Sequence, residues 1–339
     1  MSESQSIKMA LVGCGLIAQD HLRGMQTHAP QFKVTAAVDI DPARATAMAQ
    51  QTGGQPYTSL ESALEQGDFE AVNIMLPHNL HEQACILAFA AGKHIILEKP
   101  MATTLEACDR ILAAADQAGT VFMVAEQSQY WPDAVKVQQL IQEGSIGEVI
   151  TARAFFGGRV GSGWGGKPWR YDKAITGGGI CIDGGAHWIR PLRMWLGEID
   201  EVVAVLDHPL REMEGESLAH AIFRFQSGKL AIFEALRAGA AKAPGEDFRV
   251  TGAEGIIVIE KGSQGRVLLY DRQHRQGREI MPAEEKKKGA YGLELADFAQ
   301  AILHGTPPAA GPEDSLGELR TALAMYRSAE SKQWEKAWD

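Results

Sequence analysis

Three side chains in this 339-residue chain are placed to steer a proton and a developing charge: Lys99 in Glu98-Lys99-Pro100, and Asp183 and His187, four residues apart after Gly177-Gly178-Gly179. An ammonium group can donate to a developing negative charge, and a carboxylate sharing a patch with an imidazole can help to move a proton, which is the chemistry that Lys99, Asp183 and His187 could do. Proline fixes its own φ and pushes Lys99 toward extended backbone, so the ammonium is aimed from a stiff turn. Taken singly, each also fits a plainer role: a surface Glu-Lys pair, a helix cap, a buried and satisfied histidine.

The elements around them decide between these roles. Lys99 ends a strand, His94–Glu98, that belongs to an alternation of strands and helices beginning at Ile7. Apolar Ile7–Val12 runs into Gly13-Cys14-Gly15-Leu16-Ile17-Ala18 and then a helix. There the first glycine permits a tight turn, the second admits a pyrophosphate, and the small third residue lets helix pack on strand. The next strand, Phe32–Val38, ends at Asp39, about 20 residues on, where a carboxylate can accept the ribose hydroxyls of an adenosine. Asp41-Pro42 caps the following helix, which leaves Asp39 free for a ligand. Asp39 would repel a 2′-phosphate and no arginine follows it directly, so NAD is expected over NADP. Arg44 lies too far along the helix to reverse this.

Helices from about Pro42 to Thr52, Leu60 to Gln66 and within His78 to Ala91, with strands Ala71–Met75 and Val121–Ala125, predict a doubly wound parallel sheet. Ligands bind past the carboxyl ends of such strands, where Gly13, Asp39, Pro77 and Lys99 all fall. After Gln127 the regular beat is lost, which suggests a dinucleotide-binding Rossmann domain at 1–127 and an α+β substrate-binding and oligomerisation domain at 128–339, with a cleft between them. The second domain holds a helix at Ala134–Glu143, a strand at Val149–Phe156, and a loop, Gly157–Gly179, carrying Trp164, Trp169, Arg170, Tyr171 and Asp172. Its aromatics suit an ordered wall against a substrate. If a helix starts near Asp183, Asp183 and His187 share a face. Strands from Glu201 to Tyr270 predict one large antiparallel sheet, residues 271–288 an exposed loop, and two helices, Leu293–Leu303 and Pro312 to about Lys336, the close of the chain.

Composition excludes other classes. Lysine plus arginine is 33 against 43 acidic residues, a net charge of -10, with no long basic run, so neither nucleic acid nor an anionic membrane is an expected partner. Cys14, Cys85, Cys108 and Cys181 are scattered without a zinc spacing, and no apolar run approaches a membrane span. The reading is a soluble, cytoplasmic protein with no metal.

Together the glycine turn, Asp39, Pro77-His78-Asn79-Leu80-His81, Glu98-Lys99-Pro100 and Gly177 through His187 resemble, in order and spacing, the glucose-fructose oxidoreductase, inositol dehydrogenase and MocA (Gfo/Idh/MocA) family. The resemblance spans nearly the whole chain. It implies a Rossmann domain followed by an open-sheet domain, and hydride transfer between nicotinamide and a sugar, polyol or similar carbinol. Carried over, Lys99, Asp183 and His187 would be the catalytic group: oxidising a secondary alcohol needs a base for the hydroxyl proton, which suits His187, and a donor for the developing alkoxide, which suits Lys99, while Asp183 would orient the imidazole or hold a substrate hydroxyl. With the strand-end turns, Gly13, Gly15, Leu16, Ile17, Asp39, Pro77, His81, Glu98 and Lys99 are expected at the cofactor, and the loop and the turn after it place Trp164, Trp169, Arg170, Asp183 and His187 at the substrate. The chain departs from the pattern at Leu76-Pro77-His78, at Gln129 where arginine is common, and at Arg190 where an aspartate often follows the histidine; the last two would reshape the sugar pocket. The aromatic loop also suits an aromatic dihydrodiol or a cyclic imine, and a non-catalytic nucleotide sensor can share the fold. The broad sheet, with few helices to cover it, predicts a homodimer through that face or a homotetramer made by pairing it again.

Overall fold

The computed structural model describes residues 6–159, 168–238, 245–262, 265–285 and 287–338. The chain divides into two compact units, residues 1–127 with 289–316, and 128–288 with 317–339.

In the first unit the expected alternation forms β1 (Ile7–Val12), α1 (Leu16–His28), β2 (Phe32–Val38), α2 (Pro42–Thr52), β3 (Gln55–Tyr57), α3 (Leu60–Gln66), β4 (Ala71–Ile74), α4 (His81–Ala90), β5 (His94–Glu98), α5 (Leu105–Ala118) and β6 (Phe122–Ala125). The six strands pair in parallel in the order β3-β2-β1-β4-β5-β6, a doubly wound sheet. β1, β4 and β5 are almost wholly buried, as strands covered on both faces must be, and so read as largely apolar runs, interrupted by Lys8 in β1 and Asn73 in β4. Helices start where the side chains direct: Asp41, Ser59 and Thr104 each accept a backbone N–H of the first turn, and Pro42 takes the first helical position. β3 was not legible, because Gln55-Pro56-Tyr57 is short, polar and at the sheet edge.

Segment 289–316 joins this unit although it follows the second sheet in sequence. Its helix lies against α1 at a glycine crossing, where a Cβ on Gly24 would sit 2.8 Å from the Gly292 amide nitrogen.

The second unit holds α6 (Pro132–Gln142), β7 (Val149–Arg159), α7 (Lys173–Thr176), α8 (Ala186–Leu196), β8 (Ile199–Asp207), β9 (Leu218–Phe225), β10 (Leu230–Ala238), β11 (Glu246–Gly252), β12 (Gly255–Glu260), β13 (Val267–Asp271) and β14 (Arg278–Met281). The closing segment adds β15 (Glu335–Lys336). The two late helices are α9 (Ala290–His304), in the first unit, and α10 (Pro312–Ser331), most of which belongs to the second. The sheet has nine strands in the order β14-β13-β12-β11-β7-β10-β9-β8-β15. It is mixed and not purely antiparallel, since β7 and β10 pair in parallel. β14 falls inside the stretch expected to be a loop, and α10 stops at Ser331, with Lys332 at φ 58°, short of the expected Lys336.

Along β9, Ala219, Ala221, Phe223 and Phe225 are buried, and α8 packs on the same inner face, where Trp195 meets Phe248 edge-on at 5.1 Å. On the outer face Val205, Ile222, Leu230 and Ile232 are exposed among the pairs Arg153–Glu234 and Arg224–Glu201.

Candidate functional site

β1 ends in a turn that only glycine can make. Gly13 has φ 92°, and a Cβ there would lie 2.4 Å from the Met75 carbonyl oxygen. Gly15 caps α1 without any side-chain bond to its first-turn amides, and a Cβ at Gly15 would meet nothing within 4 Å. Leu16 beside it is exposed, Ile17 half-buried, and Ala18 fully buried against the sheet. Uncapped amides facing open space at a helix start are what a pyrophosphate requires, so these residues fit a dinucleotide.

Asp39 is not left free. Its Oδ2 accepts the Cys14 backbone N–H at 2.9 Å and its Oδ1 the Asp41 N–H at 2.9 Å, which latches the glycine turn to the end of β2. Burial, with Asp39 adding its charge, pushes the Cys14 thiol up to about 12. Asp41 takes the capping role, accepting from Ala43 at 2.9 Å. Ile40 between the two aspartates is 91% exposed.

Past β4, Pro77 opens a single 3₁₀ turn, His78–Leu80, whose His78 is buried. His81 is fully buried, with Nδ1 2.9 Å from the Pro100 carbonyl and Nε2 2.9 Å from the Leu76 carbonyl. Burial pushes its pKa down, and the ring braces the loops after β4 and β5. Past β5, the Lys99-Pro100 bond is cis and Lys99 is half-buried. Glu98 also turns inward: Oε1 lies 2.9 Å from His21 Nε2, and Oε2 accepts the Lys99 backbone N–H at 3.2 Å. His21 and its neighbour Asn73 did not enter the sequence reading of the site. The signal for Asn73 was a lone amide between apolar neighbours in a buried strand.

In the second unit, α8 begins at Ala186 and not near Asp183. Asp183 sits in the preceding turn, its N–H bonded to the Gly179 carbonyl at 3.3 Å, and His187 lies in the first turn of α8. The glycines before it are spaces for neighbours: a Cβ on Gly178 would fall 2.0 Å from the Tyr326 hydroxyl, and one on Gly179 2.0 Å from the Glu216 carbonyl. Glu216, buried and unforeseen from sequence, accepts Gly179 N–H at 2.9 Å, Cys181 N–H at 2.8 Å and the Tyr326 hydroxyl at 3.1 Å. Burial keeps Tyr326 protonated to donate.

Arg170 Nη1 donates to Asp183 Oδ2 at 2.7 Å, and its guanidinium lies 4.9 Å from the Trp169 ring centroid. Three of the expected substrate-side residues, Trp169, Arg170 and Asp183, therefore stand in one row. Trp164 lies outside the described residues. His187 faces the Trp131 ring, centroids 6.1 Å apart. Arg190 does not shape a pocket: it is 3% exposed and pairs with Glu318 at 2.8 Å, and Arg193 binds the same carboxylate.

Residues 7–126 match the family model described as oxidoreductase family, NAD-binding Rossmann fold, and residues 134–258 match the GFO/IDH/MocA C-terminal domain. The chain is similar to the 1,5-anhydro-D-fructose reductase of Ensifer adhaerens, 30% identical over 96% of this chain and 97% of that one. It is also similar to the scyllo-inositol 2-dehydrogenase (NAD(+)) of Bacillus subtilis, 27% identical over 95% and 94%. The crystal structure of the aldose-aldose oxidoreductase from Caulobacter crescentus complexed with glycerol superposes with a TM-score of 0.84 at 25% identity, covering 98% of this chain and 99% of that one.

Proposed function

The chain belongs to the Gfo/Idh/MocA family of oxidoreductases, and on that premise we propose that it moves a hydride between a secondary carbinol of a sugar, cyclitol or sugar derivative and a nicotinamide, NAD in preference to NADP. The observation that carries this reading is the Gly13–Gly15 turn, open at the start of α1 and latched by Asp39. The names of the relatives support the substrate class, since an anhydrosugar and a cyclitol are what two of them act on.

A bound nicotinamide supplies the hydride acceptor or donor. Gly13, Gly15, Leu16 and Ile17 would hold its pyrophosphate, and Asp39, each of whose oxygens keeps a second lone pair, would accept from the ribose. Ile40 offers no cation to a 2′-phosphate, which favours NAD. Lys99 donates to the oxygen as it gains charge, and His187 takes the hydroxyl proton. Asp183, steadied by Arg170, orients a substrate hydroxyl, and Trp169 lies under the Arg170 guanidinium at the same side.

The protein acts as a homodimer through the outer face of the nine-stranded sheet, where Val205, Ile222, Leu230 and Ile232 are exposed in the interior of the sheet and not at an edge. No helix among the described residues is long and apolar enough to cross a membrane. The scattered cysteines fit a cytoplasmic setting.

A panel of pyranoses, cyclitols and aromatic dihydrodiols, each offered with NAD and with NADP, tests the proposal. Nicotinamide reduction on a pyranose or cyclitol is expected. Turnover confined to dihydrodiols, or none at all, would overturn it.

A further inference from the structure

We infer that His21 is a positioning residue for Lys99: backed by Asn73, it holds Glu98 so that this carboxylate pins the Lys99 backbone and keeps a negative charge beside the lysine. The inference rests on the reading of Lys99 as a group of the reaction site.

The geometry is a run of polar contacts through the interior of the first unit. Asn73, fully buried in β4, donates from Nδ2 to His21 Nδ1 at 2.9 Å. That leaves the ring hydrogen on Nε2, which donates to Glu98 Oε1 at 2.9 Å. Glu98 Oε2 then accepts the Lys99 N–H at 3.2 Å. The neighbours Val72, Ile74, Ile95, Ile96 and Leu97 are all buried and apolar. A histidine and an asparagine among them cost stability unless hydrogen-bonded, and here their bonds end on the backbone of one residue, Lys99.

Other ionisable groups stand near this run, Glu294 and Tyr291 from α9, His81, and the carboxylates of Asp20 and Glu126, whose charges act on Tyr291 and Glu294. Helix α9 brings Glu294 Oε1 to 3.8 Å from His21 Nε2 and the Tyr291 ring to 5.5 Å from the imidazole. Glu294 is fully buried, and neither of its oxygens has a hydrogen-bond partner among the described residues. Burial first, then the charges of Glu98 and Glu126, drive its pKa well above the ordinary value, so it stays a neutral acid. Burial likewise keeps Tyr291, which accepts from Gln127 at 2.7 Å, in its phenol form. His81, on the other side of Glu98, is held neutral by burial. Neither Glu294 nor Tyr291 therefore adds a second negative charge beside His21.

Competitive acetylation of the cofactor-free protein with acetic anhydride, read by mass spectrometry on the Lys99 peptide, gives the pH midpoint of that ammonium. In Glu98→Gln, which removes the charge beside the lysine, the Lys99 midpoint should fall; in His21→Phe, Glu98 stays ionised but loses the bond that holds it there, so the midpoint should fall by a smaller step. His21→Gln, which keeps an N–H donor, should restore it. With a substrate from the panel, His21→Phe should lower kcat about 100-fold while KM for NAD holds. A Lys99 midpoint unmoved in His21→Phe, or the same shift in His21→Phe and His21→Gln, would overturn the inference; if His21→Phe does not fold, His21→Leu takes its place in the same comparison. Lys99→Ala separates the two readings. Full turnover in that variant removes Lys99 from the reaction whatever the midpoints do, whereas lost turnover with fixed midpoints defeats only the role of His21.

Discussion

At Asp39 both carboxylate oxygens are engaged by backbone amides, so the aspartate fixes the glycine turn before it meets any ligand. On the proposed preference for NAD, the position that would discriminate against a 2′-phosphate is Ile40, exposed and uncharged. Ile40→Arg should narrow the preference for NAD by raising NADP affinity about 10-fold, roughly 1.4 kcal/mol, with dissociation constants for the two cofactors as the check; unchanged NADP binding would place the ribose elsewhere. Residue types and order were enough to propose Lys99, Asp183 and His187. They do not tell which way a side chain turns: His81 and Glu98, expected at the cofactor, direct their side chains inward. A strand end fixes where a residue is, while the direction its side chain takes depends on His21, Pro100 and Leu76, distant in sequence.

The turn that carries Asp183 depends on one acid that no local pattern reveals. Glu216 satisfies two backbone N–H groups and a buried hydroxyl from a position 33 residues beyond Asp183. Glu216→Ala would leave those donors unpaired, costing about 1–3 kcal/mol for each group left unsatisfied, and turnover should fall with KM rising; chemical denaturation together with steady-state kinetics checks both. Loss of neither would show that the Gly177–His187 turn is held by packing alone. Helices and strands with clear periodicity or caps, such as α2 and α3, lie within a residue or so of where the sequence predicts them. The start of α8 was misread because Gly184 and Gly185 carry no capping side chain. β14 was missed because its residues, Arg278 to Met281, are half polar on an edge strand.

For the whole molecule, the proposed homodimer predicts that Ile222→Asp and Ile232→Asp each give a monomer by light scattering at micromolar concentration, since a charge in the middle of an apolar contact is costly; a native protein already monomeric would refute the assembly. Stability should also carry a pH signature from Glu294. A carboxyl whose folded pKa is raised contributes fully below its ordinary value of 4.5, and that contribution is lost as pH rises through the folded value. Melting temperatures of Glu294→Gln should therefore gain on the native protein as pH climbs above 4.5, and parallel curves would contradict the neutral-acid assignment. The central claim is that Lys99 and His187 run a sugar-type hydride transfer. Its most direct measurement is the pH profile of nicotinamide reduction on the best sugar or cyclitol, taken for the native enzyme, Lys99→Ala and His187→Ala. We predict a loss of about 100 to 10,000-fold in each variant, disappearance of the acid limb in His187→Ala, and unchanged NAD affinity in both. Near-native turnover with the acid limb intact in His187→Ala, or undiminished turnover in Lys99→Ala, would contradict it.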